Sequence, residues 1–536
     1  LKPIRIVCAA VVPLCVLVLS LFWLRGSASA ALSGPIPETS GAEQDVSAAD
    51  VWPPFHQNLS NSPTKDSGSA DIAANEDYIV VVWAEGSSAR GLNDGVVKMA
   101  WRWVDNPRWR TRILPRQIDG FAHYQPAVAL AGKFAHIVWV REDIEGVGTG
   151  NNRISYTQCR LDTGACWDPV AISREEASYS RFAPDVATDA DGTPHVVWVR
   201  QNHQQIGQIR YNNRKDHAWG KPESVSGGST ACAYTQDNPA IAVDAEHVYV
   251  VWDENVQNCY QDGKQGIYFR QRDQLHLASG SGTWRPGGAV DSPWGKQLST
   301  VFPGTPGNPA DVDGFPTIAA GGGRVYVMWE RFAYSDTLSV YSVYTYSLPY
   351  RVYTGTTPYT DWWPGGGSAA SWATMPFTST SATDTADFYE GLRPAIELYG
   401  LVPHVVWHAW DAPSLTALAE IEAMGQLPSE YLVDDQYPYR VSHATYRPGT
   451  NAWDLNEAQS RWVSETLVVN GNDRIFASPK LALTSRDGGV TQQLHFALHQ
   501  RRTYVTGENS FAWDVWYANN ESYYSTYLPL LVQKHP

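Results

Sequence analysis

The 536-residue sequence predicts an all-β fold: a β-propeller of seven four-stranded blades, the last closed by an N-terminal strand. Three observations carry this. First, a unit of two short apolar runs split by a polar turn recurs, as in Pro184-Asp-Val-Ala-Thr-Asp-Ala-Asp-Gly-Thr-Pro-His-Val-Val-Trp198. Related units start at Pro126, Pro239, Pro316, Pro394 and Pro479, with a degenerate one at Ala70. Second, the later run ends in tryptophan at Trp83, Trp139, Trp198, Trp252, Trp329 and Trp407, in steps of 56, 59, 54, 77 and 78 residues. Third, the runs alternate with period two and are rich in β-branched and aromatic residues, which favours strands over helices. A period of this length, with four strands in each unit, is the signature of a radial repeat.

Within a unit, the first strand reads Pro-x-Ile/Val-Ala, as at Pro239, and the second is the Trp-ended run. The third alternates aromatic and basic residues, as from Ile209 to Arg214 or Ile267 to Arg272. The fourth starts with Trp and ends in Ser or Thr, as from Trp167 to Ser173 or Trp219 to Ser226. Blades are expected near 70–125, 126–183, 184–238, 239–315, 316–393, 394–478 and 479–524. The seventh unit lacks a fourth strand, and residues 51–62, from the Trp52 segment, supply one, which removes an exposed sheet edge. Six blades plus a C-terminal hairpin is the alternative. A long irregular loop is expected over 354–387, and a short helix over Ser414 to Gly425, with its Ser cap and terminal Gly. The apolar tail from Tyr527 onward reads as a strand or an exported-protein tail.

At the N-terminus, Lys2 and Arg5 precede an apolar run from Ile6 to Leu24, and Ala28-Ser-Ala30 fits a cleavage site. Residues 1–30 therefore read as a signal peptide or an uncleaved membrane anchor, and 31–50 as a disordered tether. Either reading exports the remainder, to a secreted, extracellular or membrane-anchored location. There the four cysteines beyond the apolar run are expected as disulfides. Cys159 and Cys166 bracket a hairpin-sized loop, and Cys232 and Cys259 flank one repeat. Their spacing fits no zinc pattern, so no metal is expected. The net charge of −15 repels phosphate backbones and argues against a nucleic-acid partner.

The loops that follow the second strand and precede the first share one face of such a fold. They carry the candidate ligand-binding residues Arg141, Glu142, Arg200, Asp253, Glu254, Glu330, Arg331, His408 and Asp411, with Tyr124, Tyr179, Tyr234 and Tyr389. Most of the 23 tryptophans are expected in packing between blades.

The repeats resemble the sialidase superfamily of propellers, marked by Asp-box repeats. The resemblance covers about 70–536 as a blade pattern. Ser485-Arg-Asp487-Gly-Gly489-Val-Thr491 fits the box Ser-x-Asp-x-Gly-x-Thr, with Gln492 where the family's Trp follows. The resemblance implies an arginine cluster for a substrate carboxylate, for which Arg141, Arg200 and Arg331 are available, and a Tyr nucleophile assisted by Glu. The family's early Arg-Ile-Pro motif is absent. Three functions follow as expectations: binding of a glycan or extracellular protein through the loop face, sialidase-type hydrolysis, or a structural surface role. No cofactor is expected, and the chain is expected to be a monomer.

Overall fold

In the computed structural model the chain forms two contact units, Leu1–Val51 and Trp52–Pro536, and every described residue belongs to the second. The structure describes residues 55–61, 65–87, 95–117, 121–143, 152–173, 179–202, 207–215, 217–226, 234–256, 266–273, 284–285, 295–299, 312–338, 341–354, 361–364, 372–383, 393–410, 439–447, 450, 452–454, 476–486, 491–503 and 511–519. The expected signal or anchor, the tether, the helix from Ser414, the C-terminal tail, Cys232, Cys259 and Asp487 to Gly489 lie outside these.

Seven antiparallel sheets form the blades. The innermost strands are Lys65–Ala74, Phe121–Ala131, Tyr179–Thr188, Tyr234–Val243, Val312–Gly321, Ala395–Tyr399 and Phe476–Arg486. Each touches the next, and the last touches the first, so the ring is closed. In blade seven, Phe55–Asn58 pairs antiparallel with Phe511–Asn519, from Phe55 opposite Asn519 to Asn58 opposite Trp516. The strand missing from the seventh unit is thus supplied by the chain's other end. Asp514 anchors it, accepting from Asn58 Nδ2 at 3.1 Å and Ser60 Oγ at 3.0 Å.

The span 354–387 is more regular than expected. Trp362–Trp363 and Ala373–Thr383 both pair with the third strand of blade five, Tyr341–Tyr353. Gly and Ser in this stretch break the apolar alternation by which a strand is recognised, although long partner strands still offer it a ladder.

The cores lie between blades. Trp83, Trp139, Trp198, Trp252 and Trp329 are fully buried. A second set of tryptophans clasps blades one, three, four, five and six each to the blade before it. Trp109 meets Tyr517 edge-on at 4.9 Å, Trp219 meets Tyr156 at 4.7 Å, and Trp284 meets Tyr211 at 5.1 Å. Trp362 meets Phe269 at 4.9 Å and Trp453 meets Tyr350 at 5.8 Å. The aromatic-basic alternation of the third strand explains the rest of the clasp. Tyr211 and Arg214 are an odd number of residues apart, so they point to opposite faces. Tyr211 packs toward blade four, while Arg214 reaches back over Tyr156 of blade two at 5.7 Å. Arg272 covers Tyr211, and Arg102 covers Tyr517, each at 5.3 Å. Each aromatic pair contributes about 0.5–1.5 kcal/mol beyond its buried area.

The Pro-x-Ile/Val-Ala motif builds the inner ring. The residue before the motif's proline, or before the Ala70 that stands in its place in blade one, is left-handed in six blades: Ser69, Gln125, Ala183, Asn238, Phe315 and Arg393 have φ between 45° and 52°. In five of these blades the pairing with the second strand shifts register here, as between Phe182 and Asp185, which marks a β-bulge. The residue after the proline alternates around the ring as Asp71, Ala127, Asp185, Ala240, Thr317, Ala395 and Lys480. The polar members reach the next blade's backbone. Asp71 accepts from the Val128 N–H at 2.8 Å, Asp185 from Ile241 at 2.9 Å, and Thr317 from Ile396 at 3.3 Å. Seven is odd, so the alternation cannot close; Lys480 and Asp71 fall on neighbouring strands at the seam, where burial pushes the Asp71 carboxyl up and Lys480 opposes part of that rise.

Asp514→Ala removes both side-chain anchors of the closing strand. It is expected to cost about 3 kcal/mol. Amide exchange is expected to rise first in 55–60 and 511–519 while blades two to five keep their protection.

Candidate functional site

Inner strands begin, and second strands end, on one face. His123 lies opposite Arg141, Arg181 opposite Arg200, Asp237 opposite Asp253, and Asp313 opposite Arg331. The candidates expected on a common face therefore do share it. They separate into two groups by what their side chains touch.

The first group latches the ring. A left-handed bulge residue has an N–H outside the sheet ladder, and at three of them a polar side chain of the preceding blade takes it. Asp253 Oδ2 accepts from the Phe315 N–H at 3.1 Å, and Glu330 Oε2 from the Arg393 N–H at 3.2 Å. Gln125 Oε1 accepts from the Ala183 N–H at 2.9 Å. Asp253 Oδ2 also accepts from Asn238 Nδ2 at 2.8 Å. Buried Glu254 accepts from Gln236 Nε2 at 3.5 Å. Arg331 forms a two-pronged ion pair with buried Asp313, both contacts 2.7 Å, and stacks on Trp372 at 4.0 Å. Asp253, Glu330 and Arg331 are thus engaged by their own scaffold. Burial, and then the neighbouring Asp237, push the Asp253 carboxyl up to about 7, against the pull of Asn238, Phe315 and Arg393. Asp237 is also pushed up, by burial.

The second group lies on blades two and three. The Arg141 guanidinium stacks on Phe121 at 3.7 Å, and Arg200 stacks on Tyr179 at 3.7 Å. The same geometry in adjacent blades follows from the same register, with each Arg two residues after the buried Trp. Tyr124 donates its hydroxyl to Glu142 at 2.7 Å and accepts from Asn152 Nδ2 at 3.1 Å. Buried Arg181 binds the Asn152 carbonyl at 2.6 Å, which ties blade three to this pair. Burial first, then the Glu142 hydrogen bond and charge, raise the Tyr124 phenol above its usual value. It remains a protonated donor at neutral pH. Two guanidiniums on aromatic supports, a phenol, a carboxylate and an amide together offer flat apolar surface and planar hydrogen-bonding groups. That chemistry suits a polyhydroxylated or carboxylated ligand.

Tyr234 and His408 lie in strands of this ring, Tyr234–Val243 and Val402–Trp410. Asp411 and Tyr389 lie outside the described residues. Phe121, Asn152 and Arg181 are not among the candidates that the sequence offers. The sequence signal for Phe121 was its place two residues before His123, the cross-strand partner of Arg141.

A central channel of about 600 Å³ runs along the inner strands, and none of the candidates lines it. Its ionisable walls are Asp71, Asp185, Glu397, Arg393 and Lys480. Burial and mutual repulsion push Asp185 up to about 6 and Glu397 up to about 7. Among the described residues no cluster of His, Cys, Asp and Glu has the arrangement of a metal site.

No protein-family model and no curated protein matches the sequence. Solved structures resemble its fold. The Hadza microbial sialidase is 11% identical, with a TM-score of 0.39 over 64% of this chain and 63% of that one. A phage endosialidase is 10% identical, with a TM-score of 0.41 over 87% of this chain and 68% of that one. The Penicillium chrysogenum α-L-arabinanase solved with arabinobiose is 11% identical, with a TM-score of 0.37 over 73% and 92%. This chain therefore spans less than two thirds of the first sialidase. The likeness is one of fold, and the seven blades rest on the sheets themselves.

Asp253 has a folded value above its ordinary one, so its contribution to stability is full below about pH 4 and fades as pH rises through about 7. Asp253→Asn keeps the acceptor for Phe315. In thermal melts it is expected to be more stable than wild type at pH 8.5, with the two converging at pH 5.

Proposed function

We propose that this is an exported or cell-surface propeller that binds a glycan through the loop face of blades two and three. The observation that carries the reading is the repeated arginine-on-ring pair, Arg141 on Phe121 and Arg200 on Tyr179. A stacked guanidinium is held flat, so less conformational entropy is lost when it meets a ligand carboxylate or a pair of hydroxyls. The Tyr124–Glu142–Asn152 group supplies donors and acceptors beside it. A glycan carrying a carboxylate uses both arginines; a neutral one uses the rings and the polar trio. The apolar N-terminal run supports export, and the Cys159–Cys166 disulfide fits an oxidising compartment.

A second reading, glycoside hydrolysis, is favoured by the 2.7 Å Tyr124–Glu142 pair. The raised Tyr124 phenol weighs against it, because a nucleophile is helped by a lowered value.

The test is a glycan array probed with the full chain, Arg141→Ala and Arg200→Ala, alongside turnover of fluorogenic sialosides. Each substitution is expected to weaken binding of carboxylated glycans on the order of tenfold or more, without turnover in any variant. Array binding indifferent to both arginines would overturn the proposal. Turnover that disappears in Tyr124→Phe would replace it with the hydrolase.

A further inference from the structure

We propose that Trp167 is a second carbohydrate contact, a stacking platform for one pyranose ring on the opposite face from the arginine pairs. It stands apart from the loop-face reading and does not rest on it.

The argument begins with the inter-blade clasp. Trp109, Trp219, Trp284, Trp362 and Trp453 each occupy the outer-strand position of their blade and pack edge-on against an aromatic of the blade before. Trp167 holds that position in blade two, but where the other blades place a ring, as Tyr156 opposite Val138, blade one has Met99 opposite Val82, and its nearest ring on that strand is Trp101. Trp167 and Trp101 do not meet. Trp101 is covered instead by the turn between Cys159 and Cys166. Its indole Nε1 donates to the Leu161 carbonyl at 3.0 Å. Gly164 presses on its ring so closely that an added Cβ would lie 2.7 Å from Cζ2. Gly164 has a φ of +73°, so its place in the turn favours glycine on two grounds. The disulfide holds that turn, with Cys159 and Cys166 directly paired across the strands. The clasp is thus made by the turn, and the tryptophan is released outward, 51% exposed.

Released does not mean loose. The Trp167 N–H donates to the Gln158 carbonyl at 3.0 Å, and its own carbonyl accepts from Thr157 Oγ1 at 2.6 Å. Phe134 packs against the indole at 6.0 Å between centroids. The next residue, Asp168, is exposed and pairs with Arg116 at 2.5 Å. The turn is tied to blade one again by Arg112, which donates to the Gly164 carbonyl. A pre-oriented, half-exposed indole offers an apolar face, and the exposed Asp168–Arg116 pair that follows it in the chain offers hydroxyl-binding groups. That pattern fits the apolar face and equatorial hydroxyls of a sugar ring.

A protein partner fits less well. A stable protein interface needs about 800 Å² on each side. Among the described residues the exposed large apolar side chains of blades one and two are Ile113, Trp167 and Val170 alone. They form too small a patch for that and one of the right scale for a single sugar. The turn lies away from the arginine face. The third strand pairs Arg153 with Arg141 at the loop-face end and Arg160 with Phe134 at the other.

The experiment is an array of neutral hexose and N-acetylhexosamine oligosaccharides probed with the full chain, Trp167→Ala, Trp167→Tyr and Arg200→Ala. Trp167→Ala is expected to weaken a subset of signals on the order of tenfold. Trp167→Tyr, which keeps a ring, restores most of them, and Arg200→Ala leaves that subset unchanged. The melting temperature of Trp167→Ala stays at the wild-type value, since the side chain is largely in water. No signal dependent on Trp167, or a loss that Trp167→Tyr does not restore, overturns the proposal. So does pull-down of a protein that needs Trp167 while every glycan signal ignores it.

Discussion

The structure depends on a left-handed residue that interrupts the innermost edge of six blades, in five of them just before a proline. That conformation costs about 1–2 kcal/mol at a non-glycine position, and it recurs in six blades. It persists because neighbouring blades hold it. The bulge turns one N–H out of the ladder, and a side chain from the previous blade accepts it, as Asp253 does for Phe315 and Glu330 for Arg393. Ring closure and local backbone geometry are therefore one constraint: a blade cannot leave the ring without exposing a buried carboxylate and an unpaired N–H. The aromatic clasp farther out adds apolar burial to the same interfaces, and the N-terminal strand joins the two chain ends in one sheet.

This constraint sorts the charged rim. Every second strand ends near the same face and places acidic and basic groups there, but where a bulge needs a latch the acid is consumed. Blades four and five spend Asp253 and Glu330 in this way, and Asp313 of blade five is taken up by Arg331. Blade two uses a neutral latch, Gln125, for Ala183 of blade three. Glu142 holds Tyr124, and Arg141 and Arg200 stack on the rings of Phe121 and Tyr179. The sector suited to a ligand is the one whose scaffold is latched without charge.

The blade repeat was legible in the sequence because it depends on local periodicity: Pro-x-Ile/Val-Ala, a Trp-ended run, then alternating aromatic and basic residues. The closing strand was legible as a missing part at one end and a surplus at the other. The Cys159–Cys166 pair was legible from its short loop. The roles of Asp253 and Glu330 were not, because their partners are backbone N–H groups 62 and 63 residues away, and nothing in a backbone amide marks the sequence. Trp167 was equally opaque. It has the same letter and the same place as its clasped counterparts; what sets it apart is Met99 where its partner ring would stand, a match that needs the strand register, and the cover that the disulfide turn gives Trp101.

The most direct test of the account compares hydrogen exchange of the full chain with and without a saturating carboxylated oligosaccharide found by array. The account predicts added protection concentrated in 121–124, 139–143, 152–155 and 179–182, with the latch segments 253–256 and 312–316 unchanged. Protection at the latch segments, with none in blades two and three, would contradict it and move the ligand to the sector assigned here to holding the ring together.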